Sequence, residues 1–138
     1  MKKLFSLILC LIIGFSCFIF PANAAVIEEE TVSPMYNYTT KVTSTLSISS
    51  KTATCTSIIK GISGTTTKIE ITQRLQKKNG DSWNNIQSWT KTVNAVNATF
   101  TNTKGSLAAG TYRTRTIAKV YKGTAYETIK VNSTTVTI

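Results

Sequence analysis

The stretch "ITQRLQKKNGDSWNNIQSW", Ile71 to Trp89, alternates apolar with polar residues, stops at Asn79-Gly80-Asp81, and resumes with both tryptophans of the chain. A period of two marks a strand with one buried face, and Asn-Gly between two such runs marks a hairpin. Ile69, Ile71 and Leu75 share one face; Lys68, Glu70, Arg74 and Gln76 share the other. Trp83 and Trp89 have the same parity, so an unbroken strand puts both on one face. A two-residue Asn79-Gly80 loop pairs Lys78 with Asp81 and sends both indoles to the polar side. A three-residue Asn79-Gly80-Asp81 loop pairs Lys78 with Ser82 and sets Trp89 opposite Ile71. An indole buries roughly 150–250 Å², which outweighs the preference for the shorter turn. The reading adopted is therefore the three-residue loop, with Trp89 in the core and Trp83 partly exposed near its end. The rival reading, Trp83 as an exposed aromatic that stacks on a sugar ring, stays open.

The same alternation fills the chain from about residue 41. Seven runs, Val42 to Ser49, Thr52 to Ile59, Thr67 to Lys77, Trp83 to Thr92, Val96 to Thr103, Thr111 to Lys122 and Ala125 to Ile138, are separated by Gly, Asn, Asp or Ser. No segment in this region carries helical spacing over three turns. Twenty-five threonines after residue 24 suit a pleated, half-buried surface. The expected fold is all-β, about seven antiparallel strands in an immunoglobulin-like two-sheet sandwich. The inward set is Leu46, Ile48, Cys55, Ile69, Ile71, Leu75, Trp89, Phe100, Tyr112, Ala118 and Val120.

Ahead of this domain, Met1-Lys2-Lys3, an uncharged apolar run to Phe20, Pro21 and Ala22-Asn23-Ala24 have the form of a secretory signal peptide, residues 1–24, cleaved after Ala24. Residues 25–40 read as a flexible acidic lead-in that docks Tyr36 or Tyr38, and residues 41–138 as a single sandwich domain. Of three cysteines only Cys55 follows the cleavage site, so the exported fold forms no internal disulfide and Cys55 reads as a buried thiol. Export places the protein outside the cell, with retention at the envelope as one outcome.

The segments "LQKKNGDSW" and "AGTYR", within about Lys68 to Tyr121, resemble the immunoglobulin-like and fibronectin-like modules of bacterial surface proteins. The whole chain, with "SISSKTATC" and "SGTTTKI", resembles a group of short uncharacterised secreted proteins of Gram-positive bacteria. These resemblances imply a sandwich and export, and no particular activity. The pattern departs from antibody-type domains at Cys55: Ala118 occupies the inward position where a partner cysteine would lie, so the inter-sheet disulfide is absent.

The chain has no histidine, which removes the usual neutral-pH base and the commonest metal ligand. Glu70, Asp81 and Glu127, the acids outside the Glu28-Glu29-Glu30 cluster, fall on separate elements, and no phosphate loop, CxxC pair or calcium loop is present. The expectation is a non-enzyme with no cofactor and no metal. The chain carries 16 basic residues; without Lys2 and Lys3, 14 remain against six acids. Such a field attracts polyanions. An exported protein meets anionic wall polymers and membrane surfaces before nucleic acid, which is not an expected partner. The candidate contact residues are Arg113, Arg115 and Lys119, which alternate on one strand, Tyr121 on the same side, and Trp83. The leading reading is a secreted binding module attracted to anionic envelope polymers. The alternatives are a bacteriocin-like antagonist acting on anionic membranes or wall precursors, and a partner or inhibitor of another exported protein.

Overall fold

A computed structural model describes residues 35–138. The signal peptide expected over 1–24, its cleavage site and the acidic run lie outside the described residues. The strands are β1 (Thr39–Ser49), β2 (Thr52–Gly61), β3 (Lys68–Asn79), β4 (Ser82–Val93), β5 (Asn97–Lys104), β6 (Thr111–Lys122), β7 (Ala125–Asn132) and β8 (Val136–Thr137). They form two antiparallel sheets, one in the order β1-β2-β5 and one in the order β4-β3-β6-β7, with β8 also on β6. The chain changes sheet between β2 and β3, β4 and β5, and β5 and β6, the Greek-key path of an immunoglobulin-like sandwich.

Two local features fasten that path. Tyr112, at the start of β6, is buried, and its hydroxyl donates to the Ala108 carbonyl at 2.6 Å. This is the tyrosine corner of such sandwiches, formed where the "LAAGTYR" segment turns into the strand. Gly61 ends β2 where a Cβ would collide with the Val96 carbonyl and the Thr66 side chain. Its N–H donates to that same carbonyl at 2.8 Å, so only glycine permits this approach.

The final run, expected as one strand from Ala125 to Ile138, is broken in two. Arg115 pairs with Asn132 but Tyr112 pairs with Val136, so one extra residue sits on the β7–β8 side. Ser133 occupies the break: its N–H donates to the Thr114 carbonyl, and its hydroxyl accepts the Thr114 N–H. The sheet edge thus bends without losing its hydrogen bonds.

The inward residues gather in two apolar clusters. One holds Ile59, Ile69, Ile71, Ala98, Ala118, Val120 and Ile129, with Tyr36, Tyr38 and Phe100 packed against it. The other holds Leu46, Ala53, Cys55, Leu75, Leu107 and Tyr112, with Ile48 and Trp89 against it. Ile48, Trp89 and Phe100 are thus half-buried flanks of the core, and the rest of the expected inward set is buried. Cys55 is a free, buried thiol whose pKa burial pushes up. The lead-in ends against the domain: the N–H groups of Asn37 and Tyr38 donate to the Glu127 carboxylate at 2.8 and 2.9 Å.

Between the clusters runs a polar seam that the sequence reading did not foresee. Asn102 donates to the Gln73 side-chain oxygen, and Gln73 Nε2 donates to Ser57 Oγ and to the Phe100 carbonyl. Thr116 donates to Ser44, and Ser44 donates to the Thr114 carbonyl. Because the Thr116 proton is committed to Ser44, the 2.6 Å contact between Ser57 and Thr116 has Ser57 as donor. The donors therefore point one way, from β5 through β3, β2 and β6 to β1. Each residue of the seam follows its strand's parity, so hydroxyls and two amides occupy the middle of the inward faces of β1, β2, β3, β5 and β6.

The opening hairpin differs from both readings weighed above. Asn79 pairs with Ser82, leaving a two-residue loop of Gly80 and Asp81, with Gly80 at φ +58°. A positive φ at the first central position is what a glycine there supplies. Lys78 then pairs with Trp83, on the outer face. Between Gln76, which pairs with Asn85, and Leu75, which pairs with Gln87, the register shifts by one residue at Ile86. That bulge reverses parity, and Trp89 comes out beside Gln73 on the inner face. The expectation that the tryptophans share a face is corrected: neither turn length nor burial was decisive, because a mid-strand bulge separates them.

Candidate functional site

The outer face of the β4-β3-β6-β7 sheet collects the candidate residues. Its ranks follow from the pairing: Arg113 beside Gln76 and Asn85; Arg115 beside Arg74 and Asn132; Ile117 beside Thr72 and Lys130; Lys119 beside Glu70 and Thr128; Tyr121 beside Lys68 and Tyr126. Lys78 and Trp83 close one end. Parity thus gives this face Lys68, Arg74, Lys78, Arg113, Arg115, Lys119 and Lys130, with Glu70 as its acid. From Arg113 to Tyr121 it runs on the order of 27 Å at about 3.4 Å per residue.

At the Trp83 end the geometry is built in layers. The Arg113 guanidinium carbon lies 4.1 Å from the Trp83 ring centre, a cation–π contact. Arg113 Nε donates to Gln76 Oε1 at 2.8 Å, and Gln76 Nε2 donates to Asn85 Oδ1 at 2.8 Å. Gln76 is only 5% exposed although it points outward, flanked by Arg113 and Asn85, to which it is hydrogen-bonded. Burial, and then the neighbouring Arg115 cation, lower the Arg113 pKa from its ordinary value. Arg115 Nε is shielded from solvent and meets no acceptor among the described residues.

The opposite end is aromatic and partly neutralised. Lys68 bonds Glu70 at 2.8 Å and stands 3.8 Å from the Tyr121 ring centre. The Tyr121 hydroxyl donates to the other Glu70 oxygen at 2.9 Å. The hydrogen bond from Lys68, followed by that from Tyr121, lowers the Glu70 pKa, while the bond to Glu70 raises that of Tyr121. Tyr126, 54% exposed, lies 5.1 Å from Tyr121 centre to centre, and Lys119 approaches it at 5.2 Å.

Trp83, Arg113, Arg115, Lys119 and Tyr121 therefore share one face, with Trp83 half-buried against Arg113. Arg74, Lys130, Gln76 and Tyr126 complete it. The outward parity of Arg74 and Gln76 was visible in the sequence, but their place beside Arg113 and Arg115 required the β3–β6 pairing. Glu70 faces outward and Glu127 inward across the same sheet, and Asp81 sits in the hairpin loop, so these carboxylates do not converge. Among the described residues no group of His, Cys, Asp or Glu is placed to hold a metal ion. Comparison of the chain with protein-family models and with curated proteins gave no match.

Proposed function

We propose that this protein is an exported, non-enzymatic binding module that attaches to anionic polymers of the cell envelope through the outer face of its β4-β3-β6-β7 sheet. The observation that carries the reading is the concentration of seven cations against one carboxylate on a single ordered face, with an aromatic group at each end. Lysine and arginine supply long-range attraction to phosphate or carboxylate chains, and the Debye length of about 8 Å at physiological salt makes that attraction salt-sensitive. Trp83 and the Tyr121–Tyr126 pair add contact at short range. The opposite outer face carries Thr45, Thr56 and Thr101 in one rank and, among the described residues, only the Lys41–Lys60 pair as charge, which favours attachment through the β4-β3-β6-β7 face.

The test is co-sedimentation of the purified protein with Gram-positive walls, with and without their anionic polymers, at low and high salt. The reading expects binding that falls with salt and disappears with the polymers. Binding that survives both treatments would replace it with recognition of a neutral glycan, and failure to bind under any condition would refute it.

A further inference from the structure

One part of this charged face has the makings of a defined site. We infer that Arg74, Arg113 and Arg115 form a subsite for a single phosphate group, so that attachment is keyed to phosphate rather than to negative charge in general. The inference rests on the proposed attachment to anionic polymers and names the group recognised.

Arg74 and Arg115 are direct cross-strand partners, and Arg113 follows two residues along on the same face, opposite Gln76. Like charges set directly opposite each other destabilise a sheet. Among the described residues no acid relieves them: Glu70, two ranks away beside Lys119, is already engaged by Lys68 and Tyr121. The three guanidinium groups thus have an unmet need for an anion.

Two of them are prepared for it. Arg113 is held over the Trp83 ring and tied through Nε to Gln76, which fixes the side chain while leaving its terminal amino groups for a ligand. Gln76 is itself fixed by Asn85, so the support reaches the edge strand. Arg115 carries the shielded Nε without an acceptor. A buried donor without a partner is costly, and a turn of the Arg115 fork onto an oxyanion gives it one. A planar carboxylate is saturated by one or two forks. A phosphate group is tetrahedral and offers oxygens in more directions, which suits three guanidinium groups approaching from two strands. The phosphate of a wall polymer and that of a phospholipid headgroup share this chemistry.

Trp83 supplies the readout, and Trp89, on the other side of the sheet, is the internal reference. In proton–nitrogen spectra of the purified protein, inorganic phosphate added at constant ionic strength should move the Trp83 indole signal along a saturable curve and leave that of Trp89 in place. Acetate should be weaker by about tenfold or more, and Arg74→Gln or Arg115→Gln should weaken phosphate by a similar factor, as expected for loss of a charge-assisted fork. Lys60→Gln removes the same charge from the outer face of the other sheet, away from the cluster, and should leave the affinity nearly unchanged. The dispersion of the remaining signals verifies that each variant is folded.

A linear, non-saturating response, equal effects of acetate and phosphate, or equal losses in Lys60→Gln and Arg115→Gln would overturn the subsite. Vesicles containing phosphatidylglycerol and soluble glycerol-phosphate chains separate the two sources: binding to either that Arg115→Gln abolishes supports the subsite and identifies its carrier. Salt-sensitive wall binding that is indifferent to Arg74→Gln and Arg115→Gln refutes the subsite and spares the proposed function. A saturable phosphate response without wall binding does the reverse.

Discussion

Gln73 is fully buried in the middle of β3, and replacing it with methionine tests whether the polar seam stabilises the sandwich. Methionine nearly conserves the volume, so the substitution deletes hydrogen bonds without opening a large cavity. Three are lost: those donated to Ser57 and to the Phe100 carbonyl, and that accepted from Asn102. Stranding a buried polar group costs about 1–3 kcal/mol. The losses are not equal. Asn102 is only partly buried and recovers water, and Ser57 keeps its contact with Thr116. The Phe100 carbonyl and the weakened Ser57 site therefore dominate, and the expected cost is about 2–4 kcal/mol. With a urea slope of about 1–3 kcal/mol per molar for a small domain, the unfolding midpoint should fall by roughly 1–2 M. Ser57→Ala together with Gln73→Met removes both ends of one bond, so the double variant should lose less than the sum of the singles, by at least about 0.5 kcal/mol. A Gln73→Met protein that unfolds at the wild-type midpoint, or strictly additive losses, would refute the seam as a stabilising network.

Tyr112→Phe keeps the buried ring but deletes the hydroxyl bonded to Ala108; the loss should be about 0.5–1.5 kcal/mol by denaturant unfolding, with no effect on wall binding. Gly61→Ala drives a methyl group into the Val96 carbonyl and the Thr66 side chain, and should lower stability by about 1–3 kcal/mol, whereas alanine at Gly105, where a Cβ finds only an ordinary contact, should be nearly neutral. Lys68→Gln removes the main cause of the lowered Glu70 pKa, so the carboxyl titration followed by carbon NMR should move up toward the ordinary glutamate value. Because the folded Glu70 pKa is depressed, its contribution to stability is present above the unfolded pKa and is lost as pH falls through the folded one; Lys68→Gln should flatten that acid limb.

Strand existence and facing were legible because both depend on parity along one segment. Ile69, Ile71 and Leu75 declare an inner face without reference to any other strand, and the run from Thr111 to Lys122 has the bounds read from it. What parity cannot carry across is a bulge. The shift at Ile86 has no glycine or proline to announce it, and it exchanged the face of one tryptophan relative to the other. The same holds at Ser133, where a threonine-rich run read as continuous is divided by one additional residue. The seam was illegible for a different reason: Gln73 has the parity of Ile71 and Leu75, which assigns it to the core, but parity along one strand does not supply the partners a buried amide needs. A glutamine there is tolerable only because Ser57, Phe100 and Asn102 supply partners from the other sheet, and that complementarity depends on tertiary pairing.

The seam and the outer face are two consequences of one register. Gln73 pairs with Thr116 inside, and Arg74 pairs with Arg115 outside, in adjacent ranks of the same two strands. A one-residue slip of β3 against β6 would turn Arg74 toward the apolar clusters and expose Ile69 and Ile71. A two-residue slip keeps every side chain on its face, so apolar burial opposes it only weakly. It would, however, set Gln73 opposite Ala118 or Thr114, away from the Ser57–Thr116 contact, and would separate Arg74 from Arg115. The directional donor chain from Asn102 to Ser44 is satisfied in one register alone. Buried polar groups of this kind select among alignments that hydrophobic burial leaves close in energy. The arginines pay a repulsive cost for standing opposite one another, and it is the seam beneath them, one residue away on each strand, that holds them there.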